Sequence, residues 1–124
     1  MNDKSKEQLI DCFPYPIAIF TKQYTLVKVN RAFSTEAKLR FKNQEKSTMR
    51  ILQYKIKDTQ LAVAVVKVFD GNTFFLEGLN NPFSMFSGFS QQIESQLDRF
   101  DRAVIFPVSK DNSKITHGVI VFMS

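Results

Sequence analysis

Leu26-Val27-Lys28-Val29-Asn30-Arg31-Ala32-Phe33 is the stretch where the chain changes its periodicity. Up to Val29 the run is rich in β-branched residues, the habit of a half-buried strand. From Arg31 onward Phe33 and Ala37 fall four apart, the spacing of one helical face. Asn30 stands between the two regimes. Its side-chain oxygen can accept a free N–H of the first helical turn, so Asn30 is expected as a helix cap. Strict alternation puts Leu26 and Lys28 on one side of the strand and Val27 and Val29 on the other, and the valine side is expected inward.

Toward the N-terminus, Ile17 to Thr21 is a second β-prone run, and the polar Lys22-Gln23 lets it form a hairpin with Thr25 to Val29. Ahead of it, Ser5-Lys6-Glu7-Gln8 has the form of a capping box, followed by the apolar stripe Leu9, Ile10 and Phe13. Pro14 and Pro16 then stop that short helix.

Toward the C-terminus, Ser47 is placed to cap a helix carrying Met49, Leu52 and Ile56, and Asp58 to cap another carrying Leu61, Val65, Val68 and Phe69 before Gly71. For the second of these a strand stays open, because Ala62 to Phe69 is valine-rich and Asp70-Gly71 is a hairpin signal; the helix is favoured. Thr73 to Leu79 reads as a strand ended by Asn80-Asn81-Pro82. An irregular stretch from Phe83 to Phe89 leads to Ser90, which can cap a helix with Ile93, Leu97 and Phe100 as its apolar positions. Arg102 to Val108 and Ile115 to Met123 are strong strands, joined by a polar link suited to an antiparallel hairpin.

Composition sets the outer limits. With 124 residues, 44% hydrophobic and 13 phenylalanines, residues 1–124 are expected to form a single domain around one core. No apolar run approaches the roughly 18 to 20 residues that cross a bilayer, and the first residues are polar, so no membrane span and a cytoplasmic location are expected. Cys12 is the one cysteine and His117 the one histidine, too few ligands for a structural zinc site, and no metal is expected. No glycine-rich phosphate loop or dinucleotide fingerprint occurs among four glycines. The formal charge of +5 is concentrated between residues 38 and 57, where seven lysines and arginines face Glu45 alone. That segment has few aromatics for base stacking, so a solvated face is expected and a nucleic-acid partner is not.

The element order is helix, strand, strand, several short helices, strand, helix, strand, strand, an α+β pattern. With Phe13-Pro-Tyr-Pro-Ile-Ala-Ile-Phe20 entering the first strand, Leu26 to Phe33 stepping into a helix, and RAVIFPV and ITHGVIVFM closing the chain, the sequence resembles a PAS (Per-Arnt-Sim) domain over nearly its whole length. The resemblance implies a five-stranded antiparallel sheet of order 2-1-5-4-3, with short helices packed on one face around a small-molecule pocket. It departs from compact members at Asn80 to Asp101, where an extra helix between strands 3 and 4 replaces a short hairpin. That insertion bears on the register of the third strand and on the mouth of the pocket.

By the same resemblance, the pocket is expected at Phe20, Val29, Phe33, Ala103, Ile105, Ile120 and Phe122, and would take a small apolar ligand. The same residues can also close-pack as core with no ligand. The cofactor is left unknown. The cysteine-bearing Gly-x-Asn-Cys-Arg-Phe-Leu-Gln segment of photoactive flavin relatives is missing, and His117 falls on a strand flank and not on the helix that ligates haem in haem-binding relatives, so both are disfavoured. The resemblance implies a sensory, non-enzymatic module, a homodimer, relaying a conformational signal to an output domain such as a kinase, cyclase or DNA-binding domain. Two rivals stand beside it. One is an interaction-only dimerisation module, favoured if Val119 and Val121 are apolar surface buried only between subunits. The other is a small cone-shaped α+β enzyme or carrier, which would need an inward acid or base such as Tyr54 or His117.

Overall fold

In a computed structural model that describes residues 9–40, 49–89, 100–109 and 114–124, five strands form one antiparallel sheet. They are β1 (Ile17–Thr21), β2 (Leu26–Val29), β3 (Phe74–Leu76), β4 (Arg102–Ser109) and β5 (Ile115–Met123), in the spatial order β2-β1-β5-β4-β3. The longest strands, β4 and β5, pair at the centre with Ile105 opposite Ile120 and Ala103 opposite Phe122. Those four side chains are buried on one face, together with Ala18 and Phe20 of β1. The helices α1 (Arg31–Arg40) and α2 (Thr59–Lys67) complete this inner layer with three 3-10 turns at Gln53–Lys55, Val68–Asp70 and Pro82–Met85.

The helix favoured over Ala62 to Phe69 forms, and its start is the local chemistry expected. The Asp58 carboxylate accepts N–H bonds from Gln60 at 2.9 Å and Leu61 at 3.4 Å, and Leu61, Val65 and Val68 are buried. Gly71 ends the following 3-10 turn at φ 100°, a conformation that glycine adopts without a Cβ penalty. Val68 and Phe69 fall in that 3-10 turn, just past the end of α2.

Three expectations are corrected. In β2 the inward residue is Leu26, 8% exposed, while Val27 is 54% exposed. The cause is a bulge: Ile19 pairs with Lys28 but Phe20 pairs with Leu26, so Val27 is an extra residue that breaks the period of two. Val29 lies beyond it and keeps its inward contact with the core. Secondly, no helix runs through Met49, Leu52 and Ile56; Ser47 itself lies outside the described residues. Arg50 and Ile51 instead form bridges to Thr25 and Phe86, and Leu52 donates to the Met85 carbonyl at 2.8 Å. The backbone groups that a helix would use locally are spent on distant partners. Thirdly, β3 is three residues long and not seven, because Gly78 turns at φ 68° and Leu79 donates to Asp101 outside the ladder. The helix expected from Ser90 and the capping box of Ser5 to Gln8 also lie outside the described residues.

Gly118 is the one glycine in a strand, and it is there because Phe20 lies across it. A Cβ at Gly118 would stand 2.6 Å from Phe20 Cζ. The Phe20 ring cannot swing away freely, being fully buried beside Tyr24 at 6.4 Å and edge-on to Phe69 at 5.6 Å. Gly118→Ala is therefore expected to cost about 1 to 3 kcal/mol through overpacking, read as a lower urea midpoint. An unchanged midpoint would mean that the ring does not rest on the strand backbone.

Candidate functional site

The inner face of the sheet ends in a cage of phenylalanine rings. Phe83, on the 3-10 turn Pro82–Met85, stacks on Phe122 of β5 with ring centroids 4.5 Å apart. Phe33 of α1 lies 5.6 Å from Phe83 and 5.4 Å from Phe86, and Phe100 lies 5.7 Å from Phe83 on another side. All of these rings are buried. In the sequence Phe83 to Phe89 reads as an irregular stretch. The usable signal was Pro82 followed by Phe83 and Phe86 three apart, which a turn with three residues per repeat stacks on one side.

Of the seven residues expected at a pocket, Phe20, Phe33, Ala103, Ile105, Ile120 and Phe122 are at most 1% exposed and share one hydrophobic cluster. Val29 is half-buried against that cluster. Open space lies at one end of the set. Between β2 and the flank of α1 there is an open cleft of about 400 Å³, walled by Leu26, Val27, Lys28, Val29, Phe33, Ser34, Ala37 and Met49. Val29 and Phe33 thus line the cleft, and the other five pack behind them. The β2 bulge shapes this site, since it turns Val27 out toward the cleft while Leu26 faces the core.

Asn30 sits at the junction of β2 and α1 with 1% of its surface exposed and all its side-chain capacity engaged. Its Oδ1 accepts from the N–H groups of Phe33 and Ile17, both at 2.9 Å, and its Nδ2 donates to the carbonyls of Tyr15 at 2.9 Å and Ile10 at 3.2 Å. The first bond is the cap of α1; the other three tie the N-terminal segment and β1 to it. Asp11 adds a second cap, its Oδ1 accepting the Arg31 N–H at 2.9 Å.

Among the described residues, no histidine or carboxylate belongs to the cleft wall. Tyr54 is 83% exposed, and His117 lies opposite Thr21 and Val108 on the outer side of the sheet, its Nδ1 2.7 Å from the Thr116 hydroxyl. Cys12 is exposed, and no group of three metal-ligating side chains occurs among the described residues. Among them, too, no helix is long and apolar enough to cross a membrane.

Comparison with solved structures matches this arrangement to a sensory box sensor histidine kinase from Vibrio cholerae, at TM-score 0.55 and 16% identity, covering 98% of this chain and 92% of that one. The chain has the PAS fold. A second match is the crystal structure of the phage VqmA–DPO complex, at TM-score 0.56 and 9% identity over 98% of this chain. There the chain spans about half, 51%, of the other protein's length. No protein-family model matches the sequence, and no curated protein is similar to it in sequence. The PAS assignment rests on the sheet order and the placement of the short helices, and at these identities it fixes architecture alone.

Proposed function

We propose that the chain is a non-enzymatic sensory or regulatory PAS module, which binds a small apolar ligand at the Val29 and Phe33 end of its inner face and relays a conformational signal to an output domain. The observation that carries this reading is the cleft of about 400 Å³ between β2 and α1. It falls within the size of small-molecule sites, and its wall among the described residues is largely apolar, with Lys28 and Ser34 as the polar members. A ligand there can act only through unequal affinity for two packings of α1 against β2. The neighbours support the reading in kind: one is a sensor histidine kinase, and the other is a complex with DPO. The output domain, a kinase, cyclase or DNA-binding domain, belongs to the same or another chain, and the module acts in the cytoplasm.

A second reading, an interaction-only homodimer, draws on the outer face of the sheet. Ile17, Ile19, Val104, Phe106 and Val121 are half-buried there, and Phe75 at the β3 edge is 77% exposed. Antiparallel sheets with one solvated face usually alternate apolar and polar residues, and β4 and β5 do not. Val119 on this face is already 7% exposed within one chain.

Native mass spectrometry of the purified chain beside a denatured control separates the two. A low-mass adduct that is lost on denaturation is the expected result. A clean apo-dimer would overturn the ligand-binding reading and favour the interaction module.

A further inference from the structure

β2 is an outer strand of the sheet, flanked by β1 alone among the five strands. Its pairing with β1 fixes where its backbone points. Asn30 donates its N–H to the Ile17 carbonyl at 3.1 Å, and bonded and non-bonded pairs alternate along an antiparallel ladder. The next pair, Ala18 with Val29, is therefore a non-bonded one, and the N–H and C=O of Val29 point away from β1. Among the described residues, none outside the sheet bonds to either group.

The start of the same edge already accepts added chain. Leu26 donates to the Met49 carbonyl at 2.9 Å and Ile51 to the Tyr24 carbonyl at 2.8 Å, with Arg50 bridged antiparallel to Thr25. Further along the edge lies the cleft, whose wall includes four consecutive residues, Leu26 to Val29. Successive side chains of a strand point to opposite faces, so a wall made from all four is the backbone edge itself. Phe33, Ser34 and Ala37 of α1 line the other side. A free strand edge takes up an extended peptide through main-chain hydrogen bonds, and the apolar space beside it selects alternate side chains. A ligand without amides would strip water from the Val29 N–H and C=O and leave both unpaired, which opposes binding.

Resting on the ligand-binding reading above, we propose that the ligand of the β2–α1 cleft is a short extended peptide with an apolar side chain, added to the edge of β2. The ligand residue opposite Val29 donates its N–H to the Val29 carbonyl and accepts the Val29 N–H at its own carbonyl. Its side chain stands on the same face as that of Val29, toward Phe33 and Ala37, and the residues on either side of it turn to the opposite face. The four residues of β2 span about 13 Å, room for about three or four ligand residues.

Residue-resolved hydrogen exchange of the full chain tests this, with a capped tripeptide, valine between two threonines, as the probe. Without peptide, the Val29 amide is expected to exchange faster than the Lys28 amide, which points into the ladder with Ile19. At about ten times the peptide's Kd, Val29 exchange is expected to slow roughly tenfold, because only the unbound fraction exchanges. The same peptide N-methylated at its valine cannot donate to the Val29 carbonyl and is expected to give no protection. Val29→Pro removes the outward N–H at a place where an edge strand tolerates proline, and should abolish binding while the β4 amides stay protected; if that variant unfolds, the N-methylated peptide still decides. A Val29 amide that is slow before peptide is added would mean that the edge is already taken, by the chain itself or by a second copy, and would overturn the proposal. Equal protection by both peptides, or by neither, would overturn it too. An adduct without amide groups in native mass spectrometry, with Val29 unprotected, would leave the ligand-binding reading standing and remove the peptide; neither adduct nor protection would remove both.

Discussion

Phe83→Ala is expected to lower stability by about 3 to 5 kcal/mol and the thermal midpoint by about 10 to 20 °C. Phe83 has no exposed surface and contacts Phe33, Phe86, Phe100 and Phe122 with centroids between 4.5 and 6.0 Å. Truncation therefore removes the transfer free energy of one ring and leaves a void whose walls are themselves rigid rings. A dry apolar void of that kind takes up small arenes. Adding benzene should return part of the lost midpoint in Phe83→Ala and leave the unsubstituted protein unmoved. A loss below about 1 kcal/mol, outside the usual range for a buried Phe→Ala change, would contradict the ring cage. The site would then already hold space between the short helices and the sheet.

That outcome bears on the proposed ligand site, because the ring cage covers part of the sheet's inner face. Among the described residues, Phe83 and Phe86 are seated on Phe122, and Ile105 and Ile120 are fully buried on the same inner face. None of these three rings belongs to the wall of the β2–α1 cleft. A ligand seated in that cleft, as proposed above, would bear first on α1 and β2, which form its walls.

The parts of the fold that could be read in the sequence are those whose chemistry is local. Asn30 at the strand-to-helix step, Asp58 three residues before Leu61, and the closing strands β4 and β5 each carry their signal within a few residues. The parts that could not be read depend on distant partners. The bulge at Val27 is visible only once Phe20 is known to face Leu26, and residues 49–52 are extended because Tyr24, Leu26 and Met85 take their backbone bonds. The candidate site divides the same way. Period-two alternation places Ala103 with Ile105 in β4 and Ile120 with Phe122 in β5 on one strand face each, but the cleft is a gap between two elements, and no run of residues encodes a gap. Phe83 and Phe86 carry a single weak signal, their spacing of three after Pro82, because one 3-10 turn is too short to repeat a period.

Asn30→Leu should be as damaging as the loss of a core ring, although it exchanges a polar side chain for an apolar one of similar size in a buried place. Leucine satisfies none of the four groups that Asn30 serves: the N–H groups of Ile17 and Phe33 lose their acceptor, and the carbonyls of Tyr15 and Ile10 lose their donor. Each buried group left unpaired costs about 1 to 3 kcal/mol. The Ile10 carbonyl still accepts from the Phe13 N–H at 3.2 Å, so the other three groups bear the cost, and a loss of at least about 3 kcal/mol on that scale is expected in urea unfolding. Asn30→Asp separates the acceptor from the donor role. The carboxylate still accepts from Ile17 and Phe33 and keeps α1 capped, but it cannot donate and repels the two carbonyls. Hydrogen exchange should then quicken over residues 10–16 and stay slow over α1. If Asn30→Asp instead frees α1 as much as Asn30→Leu does, the donor side of the amide matters more than its cap, and the N-terminal segment holds the helix in place.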